Sequence, residues 1–149
     1  ESSHIEIGAF TNIQDFTMIH IADGPTLIGE YCSITRHCAI HGATIGDNCL
    51  IGINATIMDG AVIGENSIVA GNSLVREGAV IPPNSIVAGT PAKVIAQRNN
   101  FVANRLNALA YYDNGIAYSQ GNHRVWSEDE QHAKMAQRKT DLEKLLTGQ

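Results

Sequence analysis

The sequence has 149 residues, 44% of them hydrophobic and 17% charged, with a net charge of −5 and a mean hydropathy of −0.07. That is the make-up of one soluble globular domain; it excludes global disorder, and no apolar run approaches the roughly 18 residues a membrane span needs. Residues 1–92 carry two basic and nine acidic side chains, against eight and six in residues 93–149, which argues against a nucleic-acid backbone as partner. Glu1-Ser2-Ser3-His4 holds neither a basic region nor an apolar signal stretch, so the expected compartment is the cytoplasm and no membrane is expected as partner.

Along the chain, aliphatic residues recur every six positions. They run from Ile7 to Ile13 and Ile19, from Ile28 to Ile34 and Ile40, and then without a slip from Ile45 through Ile51, Ile57, Ile63, Val69, Val75 and Ile81 to Val87. A small residue usually follows four places on, as at Ala55 and Ser85. A helix of 3.6 residues per turn would scatter such a period around every face. Short strands with one aliphatic side chain pointing inward, and small residues where the chain turns, satisfy it: a β-solenoid. The period resembles the left-handed parallel β-helix of the hexapeptide-repeat proteins, in which three hexads make an 18-residue coil. Residues 7–92 then give nearly five coils. The expected fold is mainly β, with a β-helix domain over 1–96 and a C-terminal helical segment over 97–149 packed on it.

The step is nine between Ile19 and Ile28, where Ala22-Asp23-Gly24-Pro25 reads as a turn, and five between Ile40 and Ile45. Irregularities in a solenoid are where loops and sites are built. His20 follows Ile19 and His41 follows Ile40, and their separation of 21 equals one coil plus the three inserted residues. The two imidazoles are therefore expected to stack about 4.8 Å apart. Such a pair suits a shared zinc ion at roughly 2.0 to 2.1 Å from each nitrogen, or an outward pair that is solvated or hydrogen-bonded at a subunit contact.

After Pro91, Val102, Leu106 and Leu109 predict an amphipathic helix over Phe101–Tyr112, interrupted at Asn114-Gly115 and Gly121-Asn122. Ser127 and Glu130 form a capping-box pattern that starts a second helix. These helices are expected to cover the solenoid's side or end. Tyr111, Tyr112, Tyr118 and Trp126 lie in this segment, where packing is the ordinary role of aromatic residues.

Around the paired histidines, Asn12-Ile13-Gln14-Asp15, Met18-Ile19-His20, Ile34-Thr35-Arg36-His37-Cys38-Ala39-Ile40-His41-Gly42, Ile51-Gly52-Ile53-Asn54-Ala55 and Met58-Asp59-Gly60 resemble the gamma-class carbonic anhydrases over about residues 5–96. Ala88-Gly89-Thr90-Pro91-Ala92-Lys93 extends the likeness but is shared across hexapeptide proteins, so it supports fold more than activity. The resemblance implies a homotrimer that hydrates carbon dioxide reversibly to bicarbonate. Its zinc, or iron or cobalt, would be held by two histidines of one chain and a third of its neighbour. Three neutral imidazoles leave such an ion an open position and lower the pKa of its water to about 7. His20 and His41 match the first two ligands. The third place falls on Arg36, whose guanidinium does not ligate zinc, with His37 adjacent. Either His37 supplies the third nitrogen or the site is degraded.

By the same resemblance Gln14 would hydrogen-bond the metal's water or bicarbonate, Asn12 would assist, and Asp15 would serve the subunit interface; Asn12 and Asp15 equally suit corners. The family's Arg-Gly-Asp segment would precede Glu1, which implies a trimmed N-terminus and leaves Arg36 as a substitute partner for Asp15. Asp23 and Glu30 are candidates for a proton shuttle or simply solvated loop acids. Cys32, Cys38 and Cys49 occupy the small-residue position and are expected to fill space; their odd number and spacing argue against a disulfide framework. His4, His123 and His132 have no partner spacing and are expected at the surface. The rival readings are a hexapeptide-repeat acyltransferase or thioesterase acting on a coenzyme A thioester, and an inactive structural trimer.

Overall fold

The computed structural model describes residues 3–148, which hold fifteen strands and two long helices. The strands form three parallel stacks, the faces of a left-handed β-helix of about five turns. The first contains β1 (Ile5–Ile7), β4 (Thr26–Ile28), β7 (Thr44–Ile45), β10 (Val62–Ile63) and β13 (Val80–Ile81). The second contains β2 (Asn12–Ile13), β5 (Ser33–Ile34), β8 (Leu50–Ile51), β11 (Ile68–Val69) and β14 (Ser85–Gly89), and is closed by the antiparallel β15 (Ala92–Gln97). The third contains β3 (Met18–His20), β6 (Ala39–His41), β9 (Thr56–Ile57) and β12 (Leu74–Val75).

The irregular steps set the register. Ile7 lies opposite Ile28 and His20 opposite His41, 21 residues apart; Ile28 lies opposite Ile45 and Ile40 opposite Ile57, 17 apart; later coils pair at 18, as Thr44 with Val62. The hexad aliphatics stack into one core, where Ile34, Ile40, Ile51, Ile57 and Val69 are wholly buried.

The corners differ in one respect from the expectation. The small residue four places after each aliphatic lies inside the corner, and Cys32, Cys49, Ala55 and Ser67 are wholly buried there. The turn itself is made one residue earlier, in the left-handed region, by Tyr31, His37, Asn48, Asn54, Asn66, Asn72 and Asn84, with φ between 54° and 61°. Asparagine tolerates that conformation better than most residues. The side chain at such a corner points outward, and this fixes where His37 can go.

The first helix, α1 (Phe101–Ser119), runs beyond the expected Tyr112 and straight through Asn114-Gly115. A helical glycine costs about 1 kcal/mol relative to alanine, and packing outweighs it: Ala108, Asp113 and Ala117 are buried on either side. The helix covers the solenoid's side, with the Asn104 amide donating to the Asn48 and Ser67 carbonyls. The second helix, α2 (Asp129–Thr147), begins after Glu128, which has no side-chain capping bond, so the expected Ser127–Glu130 capping box does not form. Ser127 sits in a short 3-10 turn and donates its hydroxyl to the Arg124 carbonyl instead. What anchors α2 is Asp113, whose buried carboxylate accepts from Gln131, Lys134 and Arg138. No helix among the described residues is long and apolar enough to cross a membrane.

Candidate functional site

Both breaks in the repeat converge on one edge of the third sheet. The extra residues after Ile19 fold over the strand ends, where the Thr26 hydroxyl donates to the His20 carbonyl at 2.6 Å and accepts from the Gly42 amide at 3.0 Å. Beneath them His20 and His41 stand in register with ring centroids 5.0 Å apart and planes within 8°. On its other side His41 is hydrogen-bonded through Nδ1 to Asp59. The carboxylate takes that nitrogen and leaves Nε2 open, the usual arrangement of a metal-ligating histidine and its outer partner.

Asp59 stands in a segment that carries the family resemblance, but reading the sequence gave it no role. The signal was present: carrying the coil register one coil beyond His41 arrives at Met58 and Asp59.

A second group of residues occupies a cleft of about 420 Å³ between the first coils and α1, lined by Asn12, Gln14, Asp15, Arg36, Tyr111 and Tyr118. The amide of Asn12 donates to the Cys32 carbonyl and the Ser33 hydroxyl, so its oxygen faces Gln14 and accepts from Nε2 of that residue at 2.9 Å. A carbonyl can only accept, so this chain of bonds fixes both amides. Gln14 Oε1 is left buried without a donor among the described residues. Arg36 lies 3.7 Å from the Asp15 carboxylate and donates to the Tyr111 hydroxyl at 3.1 Å. It is thus the partner of Asp15, and of the two tail tyrosines lining the cleft Tyr111 is the one it bonds.

His37 is exposed at its left-handed corner and stacks on Phe16, ring centroids 5.1 Å apart. His37 lies four positions before His41, on the corner that precedes β6, at most about 13 Å along the chain, so it does not join the pair within its own chain. Among the described residues, no three His, Cys, Asp or Glu side chains cluster as a metal site. One copy therefore offers two nitrogens, backed by a carboxylate. That donor set suits part of a zinc site shared between copies and not a complete one.

The three thiols donate to the Gly46, Gly52 and Gly64 carbonyls from inside the corners, and burial pushes the Cys38 thiol above its ordinary value. They are packing groups, as their position in the hexad implies. Asp23 and Glu30 are exposed.

Residues 42–77 match the family model described as bacterial transferase hexapeptide (six repeats). A solved hexapeptide transferase family protein from Anaplasma phagocytophilum is 35% identical, superposes with a TM-score of 0.69, and shares 78% of this chain and 68% of its own. The chain belongs to the hexapeptide-repeat family. Among curated relatives in that family, "Probable carbonic anhydrase" of Methanocaldococcus jannaschii is 52% identical over 36% of this chain and 34% of its own length. Gamma carbonic anhydrase 2, mitochondrial, of Arabidopsis thaliana is 38% identical over 38% of this chain and 23% of its own. The match thus spans about a third or less of these curated relatives. As a hexapeptide-repeat protein the chain places its departures from the regular hexad, and with them His20, His41 and Asp59, at one edge of the coil.

Proposed function

We propose that the protein is a zinc-dependent, gamma carbonic anhydrase-like enzyme that interconverts carbon dioxide and bicarbonate at a site shared between copies of a homotrimer. His20 and His41 are two ligands and His37 of a neighbouring copy is the third. The reading is carried by the in-register stack of His20 on His41 with Asp59 behind it, and the carbonic anhydrases among the relatives support it.

When bound, zinc supplies Lewis acidity, which makes a nucleophile available from water near neutral pH. The chain's own residues do the rest. Asn12 holds Gln14 so that it presents an acceptor, and Oε1 has no donor among the described residues. That acceptor matches the O–H of bicarbonate and rejects a fully deprotonated oxyanion. Arg36, in the same cleft, adds a positive charge that favours bicarbonate over neutral molecules. Its own bonds to Asp15 and Tyr111 keep it from swinging freely.

A coenzyme A thioester enzyme is the second reading. It is favoured by a groove of about 380 Å³ lined by Met58, Leu74, Arg76 and Glu77, starting where Met58 follows His41 down the sheet edge. Met58 and Leu74 suit an acyl chain, and Arg76, with Glu77 beside it, a phosphate of the coenzyme.

Elemental analysis of the purified protein, with its oligomeric mass, separates the two. The zinc reading expects about one zinc per chain in a trimer and its loss in His41→Ala. Zinc content unchanged by that substitution overturns the ligand assignment. A metal-free trimer that turns over a coenzyme A thioester moves the function to the second reading.

A further inference from the structure

Resting on the zinc reading, we propose that Asp59 is a positioning residue: its hydrogen bond fixes a proton of His41 at Nδ1, so that Nε2 faces outward for a metal, and Gly42 keeps the room this requires. An ionised carboxylate can only accept, so the nitrogen it meets must carry the proton. In a neutral ring the other nitrogen is then the acceptor. The ring of His20, stacked against His41, has no hydrogen-bond partner among the described residues and has no such preference imposed on it.

The arrangement follows from the shortened hexad. In regular corners the left-handed residue comes three places after the aliphatic; after Ile40 it comes at two, at Gly42, directly behind His41. The 17-residue register then sets Met58 opposite His41 and Asp59 opposite Gly42. Gly42 has φ +55°, and a Cβ there would lie 3.0 Å from the Asp59 carboxylate and 2.7 Å from Cβ of Ala22 in the inserted segment. A side chain at 42 would occupy the space through which Asp59 reaches back to His41. The five-residue step and the nine-residue step are thus two halves of one device. The first brings the carboxylate in, and the second lays Ala22 against Gly42.

The test reads the proton directly. In ¹⁵N-labelled protein stripped of metal, at a pH where imidazole is neutral, His41 is expected to carry its proton on Nδ1 while His20 shows the mixture of a free ring. Asp59→Ala should move the His41 proton to Nε2, the form unconstrained imidazole favours, and zinc affinity by chelator competition should fall 10- to 100-fold. Asp59→Leu, which fills the same space without an acceptor, serves if the alanine variant does not fold, and should shift both readouts in the same direction. A wild-type His41 protonated on Nε2, or a tautomer unmoved in the folded variants, overturns the assignment. Zinc affinity unchanged in the variants overturns Asp59's role toward the metal. If wild-type protein shows the Nδ1 proton but takes up no zinc, the tautomer assignment stands and it is the zinc reading of the function that falls.

Discussion

Arg36 and His37 are neighbours in one corner with opposite roles. Arg36 is tied to Asp15 and Tyr111, whereas the His37 ring projects from a left-handed turn, against Phe16. His37→Ala is expected to lose zinc, Arg36→Ala to retain it, and Arg36→His added to His37→Ala to restore it, by placing an imidazole one residue away; elemental analysis of the three variants checks this. Retention of zinc in His37→Ala would remove His37 from the ligand set. The corner could be located from the six-residue period, but not the direction of these side chains. That depends on φ at one residue, and the period is silent about it.

Between elements, the docking of α2 turns on one carboxylate. Burial opposes the ionisation of Asp113, yet the hydrogen bonds from Gln131, Arg138 and Lys134 outweigh it and hold the group below its ordinary value of 3.8. A depressed folded-state pKa stabilises the fold above the ordinary value, and the contribution is lost as the pH falls through the lower, folded-state value. The protection of residues 129–147 against hydrogen exchange, relative to an unfolded chain at the same pH, is therefore expected to be high at neutral pH and to fall in acid below 3.8. Asp113→Ala should release α2 at neutral pH, costing about 2 to 3 kcal/mol; this is below the 3–5 for fully buried pairs because Lys134 is half exposed. Exchange in the variant that matches wild type would mean that α2 is held elsewhere. The first helix was foreseen from apolar spacing and the second from a capping pattern, but not their limits. Gly115 and the Ser127–Glu130 pattern are local signals, and the buried contacts of Ala117 and Asp113 decide against them.

For the whole molecule, stability resides in the stack of hexad aliphatics. Ile57 is wholly buried between neighbouring coils, so Ile57→Ala should cost about 2 to 5 kcal/mol by leaving a cavity that a rigid coil cannot close. Ile7 occupies the same place in the hexad but is 44% exposed on the first coil, and Ile7→Ala should cost about 1 kcal/mol or less. Denaturant unfolding of both variants measures the difference, and equal losses would contradict a core built by stacking. The same stacking made the His20–His41 pair legible in advance, because a coil converts a count of residues into a position in space.

The solenoid, its buried core from Ile28 onward, the coil register with both irregular steps and the meeting of His20 with His41 are legible in the residues alone, because all of these follow from a repeat that turns one aliphatic side chain inward every six residues. Folding in three dimensions settles the rest: Asp59 backs His41, Arg36 meets its expected partner Asp15 and also Tyr111, Gln14 keeps an acceptor unmet among the described residues, and α1 lies along the side of the coil. These depend on side-chain direction and on contacts between coils or between coil and helix, where hydrogen-bond geometry and the space left by a residue such as Gly42 choose among arrangements that the repeat treats alike.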